Sequence, residues 1–215
     1  MSFDDFLRLD PDPNRPQMSA HTHAFVRMMM KANVFVDINP NLWPSQERVL
    51  FLTCFDPHRF DHNWMHVRTA GNTCRCCVPL TAPGGALVIP KHSPLAVTSA
   101  GRRQDEVYLD NIGLAVAELG TKKIITVVHF PCLAAGLAGL SDIQTLQHNV
   151  DAKDRIRQNH PGCDIALLAH VDWHGHQSPT GRMMDTFAFT RQAFDDWKMS
   201  RVGRIHLGRL HQEAS

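Results

Sequence analysis

A predicted helix, a glycine that ends it and a buried strand follow one another in the middle of the chain. This order restricts the possible folds more than any other feature of the sequence. Within residues 110–119 the apolar positions recur at i, i+3, i+4 and i+7, the pattern of one helix face. Gly120 ends this helix, and the apolar run at 123–129 is typical of a strand covered on both faces. A helix that leads into such a strand is the second half of a β-α-β crossover. We therefore expect an α/β fold with a mostly parallel central β-sheet flanked by helices.

Further segments extend this alternation of strands and helices. The short apolar run at 49–53 is bounded by polar residues and fits a buried strand. We expect an N-terminal arm and helix in residues 1–45, and an α/β domain in residues 46–215 with an irregular insertion at about 73–104. The remaining predicted elements are a helix at 20–31, a short strand at 66–68, a helix at 141–158, a strand at 165–170 and a closing helix at 186–199.

Composition and charge exclude several classes of partner. The 215 residues carry 22 Lys plus Arg against 21 Asp plus Glu, with no clustered basic stretch that would bind nucleic acid. His129 and Pro131 interrupt the most apolar stretch, 124–140, so no membrane span is expected.

The acidic start lacks the order of an export signal, and we expect a cytoplasmic protein. In such a protein, the 6 cysteines are better candidates for free thiols or metal ligands than for disulfides.

Three metal-ligating side chains lie at the ends of two predicted strands. Cys54 ends the first strand, His129 ends the second, and Cys132 follows three residues later. Sites in open α/β sheets form beyond the carboxyl ends of strands. Two thiolates and an imidazole suit Zn²⁺ and leave a fourth position for water, as in catalytic zinc sites. The spacing by itself is a weak signal, and two packed thiols with a buried, hydrogen-bonded histidine are the simpler interpretation of it.

Three motifs in order resemble those of the β-class carbonic anhydrases. The first is Cys54-Phe-Asp-Pro-His-Arg59, and the second is the turn Arg68-Thr-Ala-Gly-Asn72. The third begins with Leu-Gly at 119–120, continues through the apolar strand and ends with His-Phe-Pro-Cys132. The resemblance covers about residues 47–140 and extends weakly to the Thr-Gly pair at 180–181.

The resemblance implies a zinc enzyme that hydrates carbon dioxide reversibly to bicarbonate, a lyase known as carbonate dehydratase. One zinc ion per chain would be bound by Cys54, His129 and Cys132, and a zinc-bound hydroxide would attack carbon dioxide. Asp56 and Arg59 would be the catalytic pair. Arg59 would keep Asp56 off the metal, where the aspartate would accept a hydrogen bond from the zinc-bound water or hydroxide.

The same resemblance implies a pocket and an assembly. Gly71 and Asn72 would lie near the substrate pocket, and the chain would form a homodimer or a larger homo-oligomer. Two features depart from the family pattern. Arg59 follows Asp56 by three residues instead of two, and Leu133 replaces the usual glycine after the second cysteine.

These departures keep two other functions open. The first is hydrolysis of a related small molecule, carbon disulfide or carbonyl sulfide, on the same zinc site. The second is a zinc-binding interaction protein without catalysis.

Two further groups could carry chemistry. The Cys-x-x-Cys spacing of Cys74 and Cys77, with Cys76 between them, could form a redox dithiol or half of a structural zinc site, although incidental thiols are the simpler interpretation. If the strand at 165–170 continued, alternate side chains would form one face that could bind a metal or relay protons. These side chains are His170, Asp172, His174 and His176.

Overall fold

A six-stranded sheet forms the centre of the computed structural model, which describes residues 17–38, 48–56, 59–60, 62–64, 77–200 and 202–206. The strands are β1 (Val36–Asp37), β2 (Val49–Cys54), β3 (Cys77–Ala82), β4 (Lys123–Phe130), β5 (Asp164–Asp172) and β6 (Met184–Phe189). The helices are α1 (Ala20–Lys31), α2 (Gln104–Leu119), α3 (Leu133–Leu137), α4 (Asp142–Asn159) and α5 (Arg191–Met199), with a 3₁₀ turn at Gly85–Val88.

The sheet is mostly parallel. Its strand order is β1-β6-β5-β4-β2-β3, and the four strands β3, β2, β4 and β5 pair in parallel. Strands β6 and β1 add an antiparallel edge. Helix α4 packs against β4, β5 and the 3₁₀ turn. The predicted class, an α/β fold with a mostly parallel sheet flanked by helices, is therefore confirmed.

Capping residues explain where the helices begin. Ser19 accepts a hydrogen bond from the Thr22 amide and so begins α1 at Ala20, where the sequence predicts it. Ser141 and Gln144 form a reciprocal capping box at the start of α4. At the end of α2, Gly120 adopts φ 62°, a left-handed conformation that glycine reaches without strain.

The predicted closing helix at 186–199 is wrong in its first half. Residues Met184–Phe189 form β6, which pairs antiparallel with β5, and only Arg191–Met199 is helical. Thr190 separates the two elements, because its side chain accepts a hydrogen bond from the Ala193 amide and caps α5. The Phe residues before it alternate along a strand, as the period of two requires, and the ring of Phe187 stacks on that of Phe35.

The segment 73–104 is more regular than the sequence predicts. It contains β3, an edge strand parallel to β2, followed by the 3₁₀ turn. Pro79 is tolerated there because an edge strand leaves one side of its backbone unpaired. Tyr108 of α2 donates a hydrogen bond to the Leu80 carbonyl at 2.6 Å and so ties this strand to the helix layer.

Several sequence predictions fall outside the described residues. These are the strand at 66–68 and most of the N-terminal arm. Within the described part of the chain, no helix has both the length and the apolar character needed to cross a membrane.

A buried ion-pair network fixes the start of α2. The Asp105 carboxylate is fully buried and accepts hydrogen bonds from Arg103 at 2.8 and 2.6 Å. Arg155 of α4 also donates to Asp105, and it donates to the Ile89 carbonyl as well. The hydrogen bonds from Arg103 and Arg155 hold the pKa of Asp105 well below its usual range, against the opposing effect of burial.

We expect Asp105→Asn to lower the free energy of unfolding at pH 7 by about 3–5 kcal/mol, because it leaves the largely buried Arg155 guanidinium group, as well as the partly exposed Arg103, without its charge partner. A carboxyl group with a depressed folded-state pKa stabilises the protein above the unfolded-state pKa of about 3.9 and loses this effect as the pH falls. The difference in the free energy of unfolding between wild type and variant should therefore become smaller as the pH is lowered from 7 to 3. Urea unfolding followed by tryptophan fluorescence measures it.

The matched control is Asp110→Asn, an exposed position on the same helix. Its effect should stay within about 0.5 kcal/mol. An Asp105→Asn variant as stable as this control would contradict the account of the network.

Candidate metal centre

Cys54, His129 and Cys132 meet where β2 and β4 run side by side. The strands pair in parallel up to Leu52 and Thr126, so their carboxyl ends reach the same edge of the sheet. One ligand atom from each of the three residues lies within 4.8 Å of the others. No other group of this kind occurs among the described residues. The predicted ligand set is therefore brought together in a geometry that could hold a metal ion.

The His129 ring presents one nitrogen to this group. Its Nδ1 lies 2.8 Å from the Pro131 carbonyl oxygen, which can only accept, so Nδ1 carries the proton. Its Nε2 is buried and has no hydrogen-bond partner among the described residues. A buried nitrogen without a partner is costly unless a ligand uses its lone pair. Such a carbonyl contact on the other nitrogen is the usual way to orient a metal-binding histidine.

The two thiols share a proton. The hydrogen bond with Cys132 lowers the pKa of Cys54 to about 4, and the same contact raises the pKa of Cys132. Burial opposes the shift at Cys54 and adds to the shift at Cys132. The pair thus carries one thiolate at neutral pH. A bound cation would favour two thiolates, the form that coordinates metals.

Two glycines after β3 form part of the site. The Gly84 amide lies 3.2 Å from the Cys54 sulfur, to which it donates a hydrogen bond. Gly85 has φ +58°, and a Cβ atom placed there would lie 2.5 Å from the Thr53 carbonyl carbon and 2.6 Å from the Cys54 nitrogen. Only glycine permits this close approach of the turn to the end of β2.

We expect Gly85→Ala to displace the Cys54 backbone, to reduce bound zinc at least fivefold and to lower the free energy of unfolding by about 2 kcal/mol or more. Gly101→Ala is the matched control. Gly101 also has positive φ, +75°, but a Cβ there would meet nothing within 4 Å. It should cost about 1 kcal/mol from backbone strain alone and keep its zinc. Elemental analysis and urea unfolding report both quantities. Equal zinc contents in the two variants would contradict the proposed role of Gly85.

Asp56 and Arg59 form an ion pair at the same edge of the sheet. The amides of Arg59 and Phe60 donate to the Asp56 carbonyl at 3.2 and 2.9 Å, the spacing of helical hydrogen bonds. These bonds bring Asp56 and Arg59 together, and Arg59 Nη1 donates to the Asp56 carboxylate. The additional residue between Asp56 and Arg59 does not prevent their contact.

Arg59 also contacts a second carboxylate, which the sequence does not assign to it. Its Nη2 lies 3.2 Å from Oδ2 of Asp172, the last residue of β5. The side chains of Arg59 and Asp172 are 2% and 1% exposed, so the contact is screened from solvent.

The other sequence candidates are placed as follows. Gly71 and Asn72 lie outside the described residues. Leu133, which replaces the glycine of the family pattern, begins α3 and is 57% exposed. The predicted shared face after β5 is not continuous, because the strand ends at Asp172, before His174 and His176.

The cysteines outside the group are placed partly as expected. Cys163 is a free thiol and is buried, like Cys54, whereas the free thiol of Cys132 is partly exposed. Cys77 is disulfide-bonded, in contrast to the free thiol expected there. Cys74 and Cys76 lie outside the described residues.

Comparisons with known proteins find a distant structural likeness. No family model matches the chain, and no curated protein matches it. Among solved structures, the chain is similar to a β-carbonic anhydrase, CafD of the filamentous fungus Aspergillus fumigatus. The TM-score is 0.40 with 11% sequence identity, over 73% of this chain and 99% of that chain. A likeness this distant does not assign a family.

Proposed function

We propose that this protein is a zinc-dependent carbonic anhydrase that interconverts carbon dioxide and bicarbonate. The observation that carries the proposal is the convergence of Cys54, His129 and Cys132, with the buried Nε2 of His129 lacking a partner among the described residues. Two of the three ordered sequence motifs contain these residues, and the order of all three motifs adds support from the sequence.

The donor set fits Zn²⁺. Two sulfurs and one imidazole nitrogen are the ligands that zinc prefers in a four-coordinate site, and three protein ligands leave one position open. When bound, the ion would supply Lewis acidity, which lowers the pKa of a coordinated water to about 7. Cys54 and His129 are buried while Cys132 is partly exposed, so a small molecule would approach from the side of Cys132.

Asp56 and Arg59 would act beside the open position. The Asp56 carboxylate would accept a hydrogen bond from water or its conjugate base and so orient a lone pair toward carbon dioxide. Arg59 would hold this carboxylate through a charge-assisted hydrogen bond and prevent it from entering the cation site itself. A homo-oligomeric assembly and a cytoplasmic location remain predictions from the sequence.

Zinc content and carbon dioxide hydration, measured on the same preparations at two pH values, test the proposal. We expect about one zinc per chain and measurable hydration in the wild type. Cys54→Ser and His129→Ala should each lose most of the zinc and at least about 100-fold in rate, since both remove a ligand. The matched control is Cys163→Ser, which alters a buried free thiol outside the group and should leave both quantities unchanged.

Stoichiometric zinc without hydration at either pH would contradict the enzymatic proposal and favour a non-catalytic zinc-binding protein. Turnover of carbon disulfide or carbonyl sulfide that exceeds carbon dioxide hydration would instead identify a hydrolase on the same site.

A further inference from the structure

Arg59 is held between two carboxylates that come from distant parts of the chain. Its Nη1 donates to Asp56, three residues earlier, and its Nη2 contacts Asp172 across the sheet. All three side chains are at least nine-tenths buried. In such surroundings charge-assisted hydrogen bonds are strong and directional.

Asp172 is the more rigidly supported of the two carboxylates. It lies within the ladder between β5 and β6, opposite Met184. Its Oδ1 accepts a hydrogen bond from the His174 amide at 3.1 Å, while Oδ2 faces Arg59. Both carboxylate oxygens are thus engaged, Oδ1 by a backbone amide of the turn after β5 and Oδ2 by Arg59. Asp56, in contrast, follows the end of β2 and lies outside any strand.

The planar guanidinium group links the firm support at Asp172 to the direction of the hydrogen bond to Asp56. Its nitrogens have a fixed geometry, so the position of Nη2 at Asp172 restricts where Nη1 can point. In the structure Nη1 points at Asp56. Without the contact at Asp172, the guanidinium group would lose one of its restraints, and the bond to Asp56 would form less often. Asp56 follows Cys54 by two residues, and its backbone amide forms a hydrogen bond with the Cys54 sulfur, so a released carboxylate would lie close to a cation held in that site.

We propose that Asp172 is a positioning residue that holds the Arg59 guanidinium group at Nη2 and thereby keeps Asp56 out of the open coordination position. This inference rests on the proposed metal site and deepens the proposed function. It also gives a physical reason why Arg59 can sit three residues after Asp56, because the anchor on β5 determines where the guanidinium group lies.

Azide binding to the Co²⁺-substituted protein, followed by the visible absorption of the metal, tests this role. Azide and the Asp56 carboxylate would compete for the same open position. We expect Asp172→Asn to raise the azide dissociation constant about five- to tenfold relative to wild type. Asparagine can still accept the His174 amide, so the turn after β5 is preserved. If that variant does not fold, Asp172→Ser keeps a weaker form of the same turn and serves in its place.

A double-mutant comparison separates positioning from a merely structural effect. In an Asp56→Ala background the internal competitor is absent, so Asp172→Asn should leave the azide affinity unchanged. The proposal is overturned if Asp172→Asn alone has no effect, or if it weakens azide binding equally in both backgrounds.

Asp185→Asn is the matched control, since Asp185 is a buried aspartate on the neighbouring β6 that bonds Trp173 and Thr180. It should leave the azide affinity at the wild-type value, and a shift as large as that of Asp172→Asn would overturn the proposal. The cobalt measurement does not require turnover. If Asp172→Asn weakens azide binding as expected but the wild-type protein does not hydrate carbon dioxide, only the proposed function is contradicted.

Discussion

Parallel pairing of β2 with β4 is the constraint on which the candidate site depends. Backbone hydrogen bonds along this ladder bring the carboxyl ends of the two strands to the same edge of the sheet. Cys54 then lies beside His129 and Cys132, which are distant from it in sequence. The two strands are buried along nearly their whole length, so apolar packing on both faces holds them in register. A shift of the β2 register by one residue would turn the Cys54 side chain to the opposite face of the sheet and separate it from His129 and Cys132.

Around this ladder, the loops after the strands supply the finer geometry. The turn at Gly84 and Gly85 packs directly on the end of β2 and donates an amide to the Cys54 sulfur. The carbonyl of Pro131 fixes the His129 ring. On the other side, Arg59 is bound by a carboxylate from β5 as well as by Asp56. The site is thus supported by four different parts of the chain, and each contributes one restraint that the others do not replace.

The sequence predicted the parts of the molecule that local pattern determines. Helical periodicity and caps located α1, most of α2 and α4, and apolar runs located β2, β4 and β5. The ligand group followed from strand ends and from the family motifs. The helix predicted across 186–199 was wrong because Phe187, Phe194 and Trp197 fit a helical spacing, while pairing with β5 imposes a strand on the first part. Tertiary context outweighed the periodic pattern there.

Other features of the structure correspond to no pattern in the local sequence. The contact between Asp172 and Arg59 depends on the order of strands in the sheet, which spacing along the chain does not encode. Strand β3 was missed because Pro79 is unfavourable in a strand unless the strand lies at an edge. The close approach of the turn at Gly84 and Gly85 to Cys54 also had no local signal, because it depends on how the fold brings the two segments together.

X-ray absorption at the zinc edge of the purified wild-type protein tests the central claim most directly, because it counts the atoms around the ion. We expect two sulfurs at about 2.3 Å, one imidazole nitrogen at about 2.0–2.1 Å and one further light atom. Loss of most of the zinc signal in Cys54→Ser, with unchanged coordination in Cys163→Ser, would complete the assignment. A first shell without sulfur, or one with four sulfurs, would contradict a site built by Cys54, His129 and Cys132.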